Sequence, residues 1–167
     1  MKKFLLFALP EAGKTTISNK IKKVVLNVNI FKSSDWMRKD ELYLNNSSMK
    51  EIYNIRIVNN RNYWNDLIIN DLSKLQDTIF IIESTHSIYE FIQIKNIVKN
   101  TLLIGIFQPL KCLIKRVKQK ETTEEDKFKK IKYIYEHYEN YDGIKHNQQF
   151  DYIFNEHKTS EIFNHLL

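Results

Sequence analysis

Residues 8–15 read Ala8-Leu9-Pro10-Glu11-Ala12-Gly13-Lys14-Thr15, the spacing G-x-x-x-x-G-K-[ST] at every position but the first. That spacing does one kind of chemistry: it holds a polyphosphate. The turn aims successive backbone N–H groups inward, and the helix that follows points its N-terminus at the same spot, so phosphate oxygens are cradled. Gly13 lets the backbone come close, Lys14 reaches the β- and γ-phosphates, and the Thr15 hydroxyl serves Mg²⁺. ATP and Mg²⁺ are the expected cofactors, with Pro10, Glu11, Ala12, Gly13, Lys14, Thr15 and Thr16 as the ATP-binding segment. Ala8 supplies the small residue needed at the strand exit, although alanine would resist a positive φ there.

Such a loop must sit between a buried strand and a helix. Residues 3–9 form an apolar run directly before it, and residues 14–23, carrying Ile17 and Ile21, form a helical run directly after. Further strand-like runs are 28–32, 78–83, 102–107 and 150–154. Helical patterns fill the intervals at 49–75 (as two helices), 87–99, 110–120 and 123–141, with 159–167 as a closing helix. The run Ile79-Phe80-Ile81-Ile82 is continuous rather than alternating, as expected of a parallel strand buried on both faces. The pattern predicts an α/β chain of three layers around a five-stranded parallel sheet.

The 167 residues most simply make one domain, since no repeat or linker appears and there are only three glycines and two prolines. No run approaches the ~18 apolar residues of a membrane span. Residues 4–10 are apolar behind two lysines but too short for a secretory leader. A single cysteine, Cys112, fits a reducing compartment, and the cytoplasm is the expected location. The charge of +6, from 26 basic and 20 acidic residues, reads most simply as a lysine-rich bias and more sharply as a site for anions. It does not point to nucleic acid, because no basic motif interleaved with aromatics accompanies it. Only four basic residues are arginine: Arg38, Arg56, Arg61 and Arg116. Where lysine is the default cation, each arginine is a candidate for a position needing a planar, bidentate fork.

From here the chain resembles the P-loop nucleoside and nucleotide kinases, the group containing adenylate and guanylate kinases. Ser33-Ser34-Asp35-Trp36-Met37-Arg38 is similar to the S-T-G-D-M-L-R segment of adenylate kinases, whose arginine holds the acceptor's phosphate. Asp35 and Arg38 keep that spacing, which sets them side by side on one helical turn; the glycine is missing, and Asp35 as a helix cap is the plainer alternative. Glu83 ends the third strand at the crevice where open α/β sheets bind ligands. The resemblance implies that it supports Mg²⁺ or the acceptor. Ser87 stands where adenylate kinases carry an arginine, and Glu83-Ser84-Thr85 shares only its acid and hydroxyl with the E-R-S of deoxynucleoside kinases. His86 has no partner at metal-ligand spacing.

Residues 113–120 resemble the R-x-x-x-R lid of the same kinases, with Lys120 for the second arginine, and Glu121-Thr122-Thr123-Glu124-Glu125 is similar to the short lid of guanylate kinases. A lid over residues 116–126 would bring Arg116 and Lys120 to the transferring phosphoryl group and exclude water. Thr123 and Asp126 also fit a helix-capping box. Phe150-Asp151-Tyr152-Ile153-Phe154-Asn155 is similar to a strand of guanylate and dephospho-CoA kinases. Arg56 and Arg61 lie in the acceptor section, residues 35–75, beside Tyr53, Tyr63 and Trp64. Together they could bind a phosphate and stack a base, but aromatics at helical spacing read first as core, and Tyr133, Tyr135, Tyr138 and Tyr141 as packing and surface.

The resemblance implies a P-loop NTPase fold with a short lid, transferring the γ-phosphoryl of ATP to a small-molecule nucleotide, foremost a nucleoside or deoxynucleoside monophosphate. Lys14, Arg116, Lys120 and Glu83 are its catalytic residues, Thr15 and Glu83 its metal residues, and Asp35, Arg38, Arg56 and Arg61 its acceptor residues. A kinase acting on a hydroxyl of a nucleoside, dephospho-CoA or another small metabolite is the alternative, with Asp35 or Glu83 taking the proton. A non-catalytic nucleotide-binding regulator is a third. A monomer and a homodimer both fit.

Overall fold

The computed structural model describes residues 3–25, 27–45, 47–75, 79–84, 88–144 and 148–154. Strand β1 (Lys3–Phe7) is apolar from Phe4 onward because both of its faces are covered: Phe4, Leu5, Leu6 and Phe7 are all at most 2% exposed. It lies at the centre of a five-stranded sheet of order β2-β3-β1-β4-β5, with β2 at Val28–Lys32, β3 at Ile79–Ser84, β4 at Thr101–Ile106 and β5 at Tyr152–Phe154. Every pairing is parallel. The register sets Leu6 beside Glu83 and Phe7 beside Gly105. One hydrophobic core runs through all five strands.

Helix α1 (Lys14–Val24) leaves the loop after β1 and buries Ile17 and Ile21. The chain then forms β2 and two short helices, α2 (Ser33–Arg38) and α3 (Glu41–Leu44). The expected pair of helices over 49–75 is α4 (Met49–Asn59) and α5 (Tyr63–Ser73). Ser48 and Glu51 make the capping box that starts α4: Glu51 N–H donates to Ser48 Oγ at 3.3 Å, and Ser48 N–H to Glu51 Oε2 at 2.8 Å. Met37, Ile52 and Trp64 form a smaller, separate core under this section.

After β3, α6 (Ile88–Ile97) crosses to β4, so the chain passes from one side of β1 to the other. That reversal opens a crevice at the carboxyl ends of β1 and β3. Helices α7 (Leu110–Lys120) and α8 (Glu124–Ile144) follow, packed on each other and joined by residues 121–123. The Thr123 box is realised: Asp126 N–H donates to Thr123 Oγ1 at 3.1 Å. Asp151 fastens β5 to its neighbour, accepting from Leu103 N–H at 2.6 Å and pairing with Lys95 at 2.8 Å. Among the described residues no helix is long and apolar enough to cross a membrane. The expected helix over 159–167, together with Thr85, His86 and Ser87, lies outside the described residues.

Candidate phosphoryl-transfer site

The loop between β1 and α1 bends through two left-handed positions, Glu11 at φ 62 and Gly13 at φ 104. Gly13 is the N-cap of α1, and its carbonyl accepts from Ile17 N–H at 3.1 Å. Ala8 is fully buried and has no positive φ, so the missing glycine costs the loop nothing at that position. Lys14 folds across the loop: its Nζ donates to Ala8 O at 2.9 Å and Leu9 O at 3.1 Å. Burial pulls its ammonium down to about 8, with Glu83 and Glu11 opposing the shift. A cation kept partly out of water at a helix N-terminus is primed for a phosphate.

Glu83 is 5% exposed at the end of β3. Its Oε2 accepts from the Thr15 hydroxyl at 3.0 Å, and its Oε1 is buried without a hydrogen-bond partner among the described residues. A buried carboxylate oxygen left open beside a hydroxyl fits a hard cation with oxygen ligands. No cluster of three or more His, Cys, Asp or Glu suited to a metal occurs among the described residues. A single carboxylate and a hydroxyl are what Mg²⁺ commonly takes from a protein when phosphates supply the rest.

On the other side of the loop lies a 350 Å³ pocket lined by Gly13, Thr16, Lys20, Gln108, Arg116 and Lys120, among others. Both cations expected of a lid contact the loop: Arg116 Nη1 donates to Glu11 O at 3.0 Å, and Lys120 Nζ lies 2.7 Å from Glu11 Oε2. Residues 116–126 are the last turn of α7, a three-residue connection and the first turn of α8. Gln108, 6% exposed with its Oε1 unpartnered among the described residues, is a pocket residue that the sequence reading missed. A polar residue directly after an apolar strand run was its only signal.

A second cavity, 710 Å³, opens between α2, α4 and α8, lined by Met37, Met49, Lys50, Tyr53, Tyr133, His137 and Tyr141 among others. Tyr141 stacks on Phe7 at 4.8 Å between ring centroids, which puts the cavity at the carboxyl end of β1, where the phosphate loop begins. The Tyr53 hydroxyl donates to Glu90 Oε1 at 3.1 Å; burial and Glu90 push it up to about 12, and burial raises the Glu90 carboxyl.

None of the expected acceptor residues is among the lining residues. Asp35 caps α2, accepting from Lys32 N–H at 2.8 Å, and pairs with Arg38 at 2.9 Å, both roughly half exposed. Arg56 makes a two-pronged pair with buried Asp40, at 2.9 Å on each prong, touches Glu41 at 3.2 Å and lies over the Tyr63 ring. Arg61 is exposed in the turn between α4 and α5.

No protein-family model and no curated protein sequence matches the chain. Solved structures do. A shikimate kinase from Acinetobacter baumannii, solved in complex with shikimate, superposes with a TM-score of 0.59 at 11% identity, covering 99% of this chain and 93% of that one. The shikimate kinase from Aquifex aeolicus gives 0.56 at 15% identity over 98% and 95%. An uncharacterized protein from Eubacterium ventriosum gives 0.62 at 12% identity over 99% and 97%. The chain has the P-loop kinase fold. Two of these three structures are shikimate kinases, and they lend no support to the narrower resemblance to adenylate and guanylate kinases.

Within a P-loop kinase fold the described side chains fall into two groups. Lys14, Thr15, Glu83, Arg116 and Lys120 gather around the loop. The 710 Å³ cavity is built instead from Tyr133 and Tyr141, which read in sequence as packing and surface, together with His137, for which the sequence carried no assignment, and with Tyr53 and Met37 facing them.

Proposed function

We propose that the protein is an ATP-dependent phosphotransferase whose acceptor is a hydroxyl on a small molecule. Lys14 and the loop amides would take the donor phosphates, and Thr15 with Glu83 would hold Mg²⁺. When bound, the metal neutralises charge on the β- and γ-phosphates. Arg116 and Lys120 stand on the donor side to meet the charge of the transferring group. The acceptor hydroxyl must lose its proton as the phosphorus–oxygen bond forms. Both oxygens of Asp35 are already engaged, so Glu83 would take that proton, through the carboxylate oxygen that does not meet the metal.

The observation that carries the choice of acceptor is the lining of the large cavity. Among the described residues that line it there is one lysine, one glutamate, one histidine and three tyrosines, and no arginine. A phosphate acceptor calls for a guanidinium fork, and Arg56 is already bound to Asp40 and Glu41. The shikimate kinase neighbours favour the same reading, being named for an acceptor that is not a nucleotide. A nucleoside monophosphate is the second reading. It rests on Arg38, whose half-exposed pair with Asp35 is of a kind worth little and easily given up to a phosphate.

The test is ATP/Mg²⁺ turnover against three panels: nucleosides, hydroxylated ring acids and polyols, and nucleoside monophosphates, with Lys14→Ala as the control. Turnover on a hydroxyl compound that is lost in the control supports the proposal. Turnover on monophosphates alone selects the second reading. ATP binding with no turnover on any panel would mark a nucleotide-binding protein without transfer.

A further inference from the structure

Glu11 is the only acidic residue in the phosphate loop. It stands at φ 62, a left-handed position that glycine occupies freely and glutamate does not. Its side chain is only 9% exposed, and two lysines converge on it: Lys120 Nζ lies 2.7 Å from Oε2 and Lys130 Nζ 3.2 Å from Oε1. Lys120 ends α7 and Lys130 lies in the second turn of α8. Lys130 also pairs with Glu121 in the connection between the two helices, and Arg116 Nη1 binds the Glu11 main-chain carbonyl. One loop residue thus fastens both helices.

A carboxylate beside a polyphosphate site is repulsive on its own. Here burial would raise its carboxyl, but Lys120 and Lys130 outweigh that and keep it below the ordinary carboxylate range. It is held charged, in a strained position, by the cations on the donor side. The geometry points to Glu11 as a positioning residue: its carboxylate anchors the α7–α8 hairpin to the phosphate loop and keeps Lys120 at the mouth of the donor pocket. Lys120 itself is 67% exposed, so without this partner little would fix its long side chain. The anchoring is a property of the hairpin alone; its benefit to transfer rests on the phosphotransferase reading.

The experiment compares the full chain with Glu11→Gln, Lys120→Gln and the double variant, reading hydrogen exchange of the amides in residues 118–125 together with kcat and the KM for ATP. Glutamine keeps the shape of Glu11 and removes its charge; at Lys120 it removes the charge and shortens the stem while leaving a polar end. Each single variant should speed exchange in the hairpin about fivefold and lower kcat about fivefold, with the KM for ATP moving less. The double should be no worse than the more severe of the two singles, because the Glu11–Lys120 contact can be lost only once. Additive effects, or unchanged exchange in Glu11→Gln, would overturn the anchor. A coupled change in exchange with unaltered kcat would confine Glu11 to structure and overturn its positioning role. A fall in the KM for ATP with a rise in kcat would make Glu11 a competitor of the nucleotide instead. Should the wild-type chain turn over no acceptor, the exchange cycle still decides the anchor while the phosphotransferase reading fails.

Discussion

The Thr15 hydroxyl donates to Glu83 Oε2 at 3.0 Å, joining the first turn of α1 to the end of β3 across 68 positions of sequence. The sheet register makes this meeting unavoidable: Leu6 and Glu83 are paired neighbours, and the loop leaves β1 two residues later. Glu83→Gln keeps the volume and one acceptor oxygen but removes the charge. The expected result is a fall in kcat of roughly 10²-fold, the size seen when one electrostatic contact to a transition state is removed. The thermal midpoint should not fall, because a buried carboxylate with one open oxygen has been neutralised. Turnover titrated against Mg²⁺, beside a melting curve, checks both halves.

Lys14 gives the site a pH dependence whose sign follows from its surroundings. Burial lowers its ammonium to about 8, so in the free protein it is cationic below that value and neutral above it. A bound polyphosphate favours the cation. ATP binding should therefore be nearly independent of pH up to about 8, then weaken as pH rises and take up a proton on binding. The limit is about tenfold in affinity per pH unit. Calorimetric titration at several pH values in two buffers of different ionisation heat measures both effects. Lys14→Met should bind weakly at all pH values and lose the slope.

Much of this was legible in the sequence, for reasons particular to each element. A run such as Ile79-Phe80-Ile81-Ile82 has no polar face, so only a central strand of a covered sheet accommodates it, and all four are at least half-buried in β3. The phosphate loop was legible because its function is carried by main-chain geometry at fixed spacing. What was not legible depends on side chains that meet across distant segments. Tyr141 reads as packing, and it does stack on Phe7; the same ring also lines the large cavity, which no periodicity can report. Lys130 lies beyond the expected lid and reaches Glu11 only because α8 folds back along α7. Arg56 carries the right chemistry for an acceptor phosphate, but Asp40, unremarkable in sequence, holds it.

That Arg56–Asp40 contact predicts a dissociation between stability and activity. Asp40 has a side chain only 2% exposed, held well below the ordinary carboxylate value chiefly by Arg56. Its burial opposes that shift, and the Leu42 N–H helps to sustain it. Arg56→Met removes the partner and leaves the buried carboxylate unpaired, so the unfolding midpoint should drop clearly. Asp40→Asn combined with Arg56→Met should recover part of the loss, because the stranded charge is gone. The KM for the acceptor should move little in either variant below its melting temperature. A large rise in acceptor KM for Arg56→Met, with the midpoint unchanged, would return Arg56 to the acceptor's phosphate and favour the monophosphate reading. Denaturant titration and acceptor-dependent kinetics on the same preparations separate the two.

Gly105 offers a way to perturb the 710 Å³ cavity, the proposed acceptor site, from within the sheet. It pairs with Phe7 on β1 and Ile153 on β5, and a Cβ built there would lie 2.5 Å from Phe107 Cε2 and 3.0 Å from Phe150 Cε1. Those two rings meet edge to face with centroids 5.7 Å apart; Phe150 leans on Phe7, and Phe7 carries Tyr141. Gly105→Ala must push this aromatic row outward, an overpacking change that costs about 2 kcal/mol. The displacement ends at Tyr141, the residue shared between the core and the large cavity. The expected outcome is a lower unfolding free energy with a raised KM for the acceptor. The Kd for ATP should be unaffected, since no ring of this row lines the 350 Å³ pocket beside the phosphate loop, where the donor is proposed to bind. Denaturant unfolding, calorimetric ATP binding and acceptor kinetics on the one variant check the three statements. A raised Kd for ATP with an unchanged acceptor KM would count against the 710 Å³ cavity, and Tyr141 within it, as the proposed acceptor site.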